Sequence, residues 1–198
     1  MTETSQRSLF RVRNSAFICA VCIALALLLN AIAGPTPLLT IALKGKPILE
    51  QVGWGIARAL AFGIPMWIAV LFLPGLVSLR NQLIELLSRM DLSGLNPLWL
   101  AVLAGIGEET LFRGALQPIV GVWWTSLIFV LLHFRTYQFR SMNWQKAISA
   151  GGVFLASLFL GHIFSNVGLV AAIIAHITLD TVGLFLAPRL LRRGAACA

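Results

Sequence analysis

Several ionisable side chains lie inside long apolar stretches of this 198-residue chain. Glu108 and Glu109 are adjacent, and Arg113 follows four residues after Glu109. Further along, His176 and Asp180 are also four residues apart. Residues at positions i and i+4 share one face of a helix, so each pair places its charged or titratable groups side by side. Carboxylates and imidazoles arranged in this way are suited to general acid and base chemistry, such as the activation of water.

The two adjacent glutamates are predicted to have different roles. Glu109 pairs with Arg113 as an i,i+4 ion pair, which is either charge support for a site or a structural salt bridge that locks the helices. Glu108 is rotated by about 100° around the helix, so it faces a different neighbour and is the better candidate for the general base. His133 closes another apolar stretch, and Phe129 precedes it by one helical turn on the same face.

The composition predicts the surroundings of these residues. The chain is 59% hydrophobic and only 11% charged, and its mean hydropathy is +0.89. Soluble domains contain about 25% charged residues, so this is an integral membrane protein. The formal net charge of +8 is spread between apolar segments and forms no basic stripe, so no nucleic-acid partner is expected.

Hydropathy predicts an all-α, polytopic membrane helix bundle of about six transmembrane helices, since each crossing needs roughly 20 apolar residues. In the segment 78–93 the apolar residues fall on one face of a helix, so it is predicted to be an amphipathic helix at the membrane interface. The predicted spans are 14–34, 56–79, 97–116, 119–134, 147–161 and 167–187.

Depth in the bilayer brings some of the ionisable residues together. Glu108 lies about 11 residues past Pro97, roughly 16 Å into the bilayer at 1.5 Å per residue. His176 lies at a similar depth in the last span, so Glu108, His176 and Asp180 are predicted to meet, with His133 nearer the cytoplasmic boundary. Charged groups at such depth cost about 2.5 to 3.5 kcal/mol each and usually mark function.

The loops predict an orientation for the bundle. Most Lys and Arg residues fall in loops on one side, whereas Lys44 and Lys46 fall on the other, so both termini are expected in the cytoplasm. The compact chain, without an organelle signal, suggests a bacterial plasma membrane. A second interpretation of the start remains open, because Arg11 and Arg13, an apolar run and the small residues at 31–33 also resemble a cleaved signal peptide.

Three motifs follow one another along the chain: Glu108-Glu109-x-x-x-Arg113, Phe129-x-x-x-His133 and His176-x-x-x-Asp180. In this order they resemble the CPBP family of intramembrane glutamic-type endopeptidases, which includes the CAAX prenyl endopeptidases and bacteriocin-processing or self-immunity proteins. The resemblance covers about residues 95–186. It divides the chain into N-terminal transmembrane helices with the interfacial helix, 1–94, and a catalytic protease core, 95–198.

The resemblance implies peptide-bond hydrolysis inside the membrane. By position, Glu108 and His133 would activate a water, and His176 and Asp180 would stabilise the oxyanion. Prenyl proteases of the family have Asn at the last of these positions. An ionised Asp180 cannot donate a hydrogen bond, so it must be protonated, orient His176, or bind a metal.

A metal is not favoured, because no HExxH pair on one helix is present. If a divalent metal such as zinc is used, its ligands would be Glu108, His133 and His176, which supply the nitrogen and oxygen donors that zinc prefers. No other cofactor is expected.

The expected partners are the lipid bilayer and a membrane-associated protein or peptide with a lipidated or hydrophobic C-terminal or leader segment. The sequence carries no indication of an oligomeric state. The alternative is a non-enzymatic membrane protein, either a proton-coupled carrier or a bacteriocin immunity protein, that uses the same cluster as a proton relay. A carrier would need a polar path to both faces of the membrane.

Overall fold

The computed structural model describes residues 9–133 and 144–195. These residues form helices, which confirms the all-α membrane bundle. A short 3-10 turn at Pro74–Leu76 precedes the fourth helix, and a π-helical segment at Thr110–Leu116 joins the fifth to the sixth. The helices are α1 (Val12–Ala33), α2 (Leu38–Leu43), α3 (Ile48–Phe72), α4 (Val77–Leu87), α5 (Asn96–Glu109), α6 (Gln117–Leu132), α7 (Trp144–Asn166) and α8 (Leu169–Ala195).

The predicted third and fourth spans follow each other without an intervening loop and are separated by a kink. Among the described residues, four helical segments are long and apolar enough to cross a membrane, and one of them is Asn96–Leu132. This segment bends at Gly121, where a φ of 79° breaks the regular helix. The six predicted stretches correspond to the two halves of this segment, the three other long segments and the shorter apolar helix Leu169–Phe185. Phe134, the predicted end of the fourth span, lies outside the described residues.

The amphipathic helix is shorter than the sequence predicts, since α4 ends at Leu87. After it, the N–H of Phe10 donates to the Arg89 carbonyl at 2.7 Å, and the N–H of Asp91 donates to the Phe10 carbonyl at 2.9 Å. The side chain of Asp91 accepts hydrogen bonds from the hydroxyl and N–H of Ser93, which lower its pKa. These local bonds form a turn that competes with continued helix.

The start of α8 is fastened to the start of α3. The N–H of Lys46 donates to the Val167 carbonyl at 2.9 Å. The buried side chain of Gln51 donates to the Lys46 carbonyl at 2.8 Å and accepts from the N–H of Ala171 at 3.2 Å. Ala171 lies in the first turn of α8, where N–H groups have no partner within the helix. Gln51 therefore fixes the entry of the helix that carries His176.

Glycines let α5 lie close to both of its neighbours. A Cβ atom at Gly107 would lie 2.8 Å from the Cα of Cys19 on α1. A Cβ atom at Gly105 would lie 2.6 Å from a side-chain carbon of Ile177 on α8. Small residues allow such close backbone approach between membrane helices. The helix that carries the two glutamates is therefore held between α1 and α8.

Gly107→Ala is expected to lower the free energy of unfolding by about 1–3 kcal/mol, because the new methyl group meets the backbone of α1 rather than a flexible side chain. The measurement is the thermal unfolding of the full chain in detergent micelles, followed by circular dichroism.

Gly152→Ala is the matched control for this substitution. It lies on α7, and no described atom is within 4 Å of a Cβ atom built there. It should be neutral or slightly stabilising, because alanine favours the helix over glycine. Equal unfolding midpoints for the two variants would contradict close packing at Gly107.

Candidate active site

The predicted ion pair between Glu109 and Arg113 is formed and fully buried. Arg113 Nε lies 3.1 Å from Glu109 Oε2, and both side chains are 0% exposed. Arg113 lies in the π-helical segment, so the pair spans the change from α-helix to π-helix. Arg113 Nη2 also donates to the carbonyl of Ser157 at 2.8 Å and to its hydroxyl at 3.0 Å. The guanidinium lies 5.4 Å from the ring centre of Phe129, within the range of a cation–π contact.

Glu109 binds a second partner with its other oxygen. Its Oε1 lies 2.7 Å from Nδ1 of His176. A carboxylate paired with arginine is ionised and only accepts hydrogen bonds, so Nδ1 of His176 carries the proton and donates it. This assignment leaves Nε2 of His176 to face the rest of the site. The sequence predicted that His176 meets Glu108, and this shorter contact with Glu109 was missed.

Glu108 lies between the two histidines. Its Oε1 is 3.7 Å from Nε2 of His133, and its Oε2 is 4.0 Å from Nε2 of His176. Both distances exceed the usual length of a hydrogen bond, 2.7–3.2 Å. The side chain of Glu108 is 18% exposed, unlike that of Glu109. Glu108 is therefore the glutamate that has both imidazole neighbours and access from outside the packed core.

His133 is oriented by the helix that ends at it. Its Nδ1 lies 2.8 Å from the carbonyl oxygen of Phe129, and its ring stacks on the Phe129 ring with centroids 4.2 Å apart. Because a carbonyl only accepts, Nδ1 carries the proton, and Nε2 faces Glu108. Phe129 also makes an edge contact with Phe112, at 4.9 Å between centroids.

Asp180 lies at the outer edge of this cluster. Its Oδ2 is 3.4 Å from Nε2 of His176, and its side chain is 40% exposed. The predicted i,i+4 relation on α8 is thus present. Glu108, His133, His176 and Asp180 form one continuous group, which we call the acid–histidine cluster.

The acid–histidine cluster contains the nitrogen and oxygen donors that zinc prefers. In the part of the chain that the structure describes, no group of three His, Cys, Asp or Glu side chains is arranged to hold a metal ion.

Comparison with known proteins finds a family model that matches part of the chain. Residues 92–182 match the model described as type II CAAX prenyl endopeptidase Rce1-like. We call these residues the Rce1-like segment, after the family that they resemble. The match confirms the resemblance drawn from the three motifs, and the Rce1-like segment contains every residue of the acid–histidine cluster together with Glu109 and Arg113.

A curated relative matches a stretch of comparable length. The uncharacterized protein YpbD of Bacillus subtilis (strain 168) is 36% identical over 86 residues. The match covers 43% of this chain and 42% of YpbD, so the chain spans less than half the length of that relative. No solved structure matches the chain significantly.

Sequence reasoning missed Ser157. A signal was present, because Ser157, Gly161 and Ser165 follow one another at intervals of four on α7. Such a stripe of small residues marks a face that packs closely on another helix. The sequence does not show that Ser157 contacts Arg113, because this contact depends on tertiary structure.

The two glutamates are expected to respond differently to removal of their charge. Glu109→Gln leaves the buried Arg113 without its counter-ion, which costs about 3–5 kcal/mol of unfolding free energy. Glu108→Gln preserves the shape of the side chain at a partly exposed position, so its free energy of unfolding should be close to that of the wild type. The measurement is denaturant unfolding of the purified chain in mixed micelles. An equal loss in both variants would refute the assignment of Glu109 as charge support.

Proposed function

We propose that this chain is an intramembrane endopeptidase that hydrolyses a peptide bond of a membrane-associated substrate. The main support for this proposal is the position of Glu108, which lies within the Rce1-like segment and between Nε2 of His133 and Nε2 of His176. The substrate would present a lipidated or hydrophobic C-terminal or leader segment. Many large apolar side chains are exposed on the bundle, so the substrate would approach through the lipid phase.

Glu108 would act as the general base, with His133 as its partner. In the proposed step a water gives a proton to Glu108 and attacks the carbonyl carbon of the scissile bond. The lone pair of His133 Nε2 would accept the water's other hydrogen and hold the nucleophile in place. The carbon–nitrogen bond then breaks, and the proton on Glu108 passes to the leaving amine.

His176 would stabilise the oxyanion. Its Nδ1 donates to Glu109, so protonation of Nε2 gives an imidazolium that donates from both nitrogens. Asp180, 3.4 Å from Nε2, would orient this group and balance its charge. Of the roles open to Asp180, orientation of His176 is therefore the one that the contacts support, and it does not need the amide of asparagine.

We propose that the reaction uses no metal. A carboxylate and a histidine already provide the base. The possible ligands Glu108, His133 and His176 come from three helices rather than from one HExxH pair. A chelator distinguishes the two mechanisms directly.

The rest of the chain would support this core in the plasma membrane of a bacterium, with both termini in the cytoplasm. Residues 95–198 would form the protease core and residues 1–94 its N-terminal helices. α1 packs against α5 beside the glutamates, so the N-terminal helices would form one wall of the site.

Glu108→Gln is expected to abolish cleavage while the chain stays folded, because loss of a general base costs about 100- to 10,000-fold in rate. The measurement compares new peptide termini in membranes that contain equal amounts of wild-type or Glu108→Gln protein. His162→Gln is the matched control, since His162 is exposed on α7 and should leave cleavage unchanged. A parallel arm adds a chelator, which should have no effect on cleavage without a metal.

The same comparison can overturn the proposal. If wild-type and folded Glu108→Gln chains give identical termini, the chain is not a protease of this kind. The cluster would then be a proton relay, and proton uptake by reconstituted vesicles would distinguish a carrier from a bacteriocin immunity protein.

A further inference from the structure

A buried polar path connects α7 to the acid–histidine cluster. It begins at Ser157, which is 1% exposed and accepts two hydrogen bonds from Arg113 Nη2. It continues through the 3.1 Å ion pair of Arg113 with Glu109 and the 2.7 Å contact of Glu109 with His176. Three separate parts of the chain, α7, the π-helical segment and α8, are thus joined by charged or polar contacts.

The contacts of Arg113 fix the direction of its guanidinium. This group is planar and rigid, so holding Nη2 against Ser157 also sets the direction of the Nε–H bond. Nε of the guanidinium lies 3.1 Å from Oε2 of Glu109, in an ion pair without the geometry of a hydrogen bond, and Oε1 of the same carboxylate binds Nδ1 of His176. The long side chain of an arginine has much rotamer freedom, and a buried one needs such fixed partners.

A second contact between the helical segment Asn96–Leu132 and α7 does not reach the acid–histidine cluster. Gln117 follows Arg113 by one turn and donates to the Gly161 carbonyl and to the Ser165 hydroxyl, both at 3.0 Å. These contacts hold α6 against α7. Ser165 is therefore comparable with Ser157: both are serines on α7, and the hydroxyl of each accepts a hydrogen bond across the helix interface. Among the described contacts, Ser165 has none with Arg113 or Glu109.

We propose that Ser157 is a positioning residue for the protease activity. It acts through Arg113 and Glu109 to hold His176 with Nδ1 protonated, so that Nε2 faces Glu108 and the substrate. The catalytic meaning of this role rests on the proposed function. The effect on the His176 ring does not, because it follows from the buried path alone.

The first test measures the ring of His176 and needs no substrate. The full chain, which has three histidines, is labelled with ¹⁵N-histidine and studied by NMR in detergent micelles. In the wild type the His176 nitrogens should show one set of signals, in which Nδ1 is protonated. Ser157→Ala removes one of the two acceptors of Arg113 and should shift the His176 nitrogen signals. Ser165→Ala should leave them in place.

The second test measures turnover with the peptide whose cleavage depends on Glu108. Ser157→Ala should lower kcat about tenfold, as expected for loss of one hydrogen bond to a charged group, with KM unchanged because the serine does not touch the substrate. Ser165→Ala should preserve both constants. An equal fall of kcat in both variants would show a general packing effect and would overturn the proposal.

The two tests separate failure of this inference from failure of the proposed function. Unchanged His176 signals in folded Ser157→Ala would refute the positioning role, whatever the chain does. If the wild type cleaves no peptide but the His176 signals still depend on Ser157, the protease proposal fails and the structural link to His176 stands. A shifted signal with unchanged kcat would also refute a positioning role in catalysis.

Discussion

The site depends on the contacts that compensate the buried carboxylate of Glu109. A charge withdrawn from water is tolerated only when its partners and hydrogen bonds compensate the loss of hydration. Here Oε2 lies in an ion pair with Arg113, and Oε1 accepts a hydrogen bond from His176. The two partners come from different segments. The π-helical segment and α8 must therefore hold one relative position for the charge to be compensated.

Other features of the bundle serve this constraint. Gly105 and Gly107 bring α5 close to α8 and α1, which sets the distance between Glu109 and the helix of His176. Gln51 on α3 fixes the first turn of α8. Ser157 supplies its carbonyl and hydroxyl oxygens to Nη2 of Arg113, the arginine paired with Glu109. Helix packing and charge compensation thus act at the same place.

Local periodicity predicted what lies within one helix, and tertiary structure decided the rest. The pairs Glu109 with Arg113 and His176 with Asp180 follow from the i,i+4 rule and are present. The π-helical segment was not predictable, because no residue type marks it. The contact between Glu109 and His176 was missed because depth along two helices does not give their relative rotation, and rotation decides which glutamate a histidine meets.

Rotation also explains why two adjacent glutamates differ so much. Successive residues of a helix point about 100° apart, so one carboxylate can enter the packed interior while the next stays partly exposed. Exposure rises from 0% at Glu109 through 18% at Glu108 to 40% at Asp180. The ion pair occupies the most buried position, where screening by water is weakest. The groups proposed to exchange protons lie further out, where a water and a peptide carbonyl could reach them. His176 touches all three carboxylates and joins the two regions.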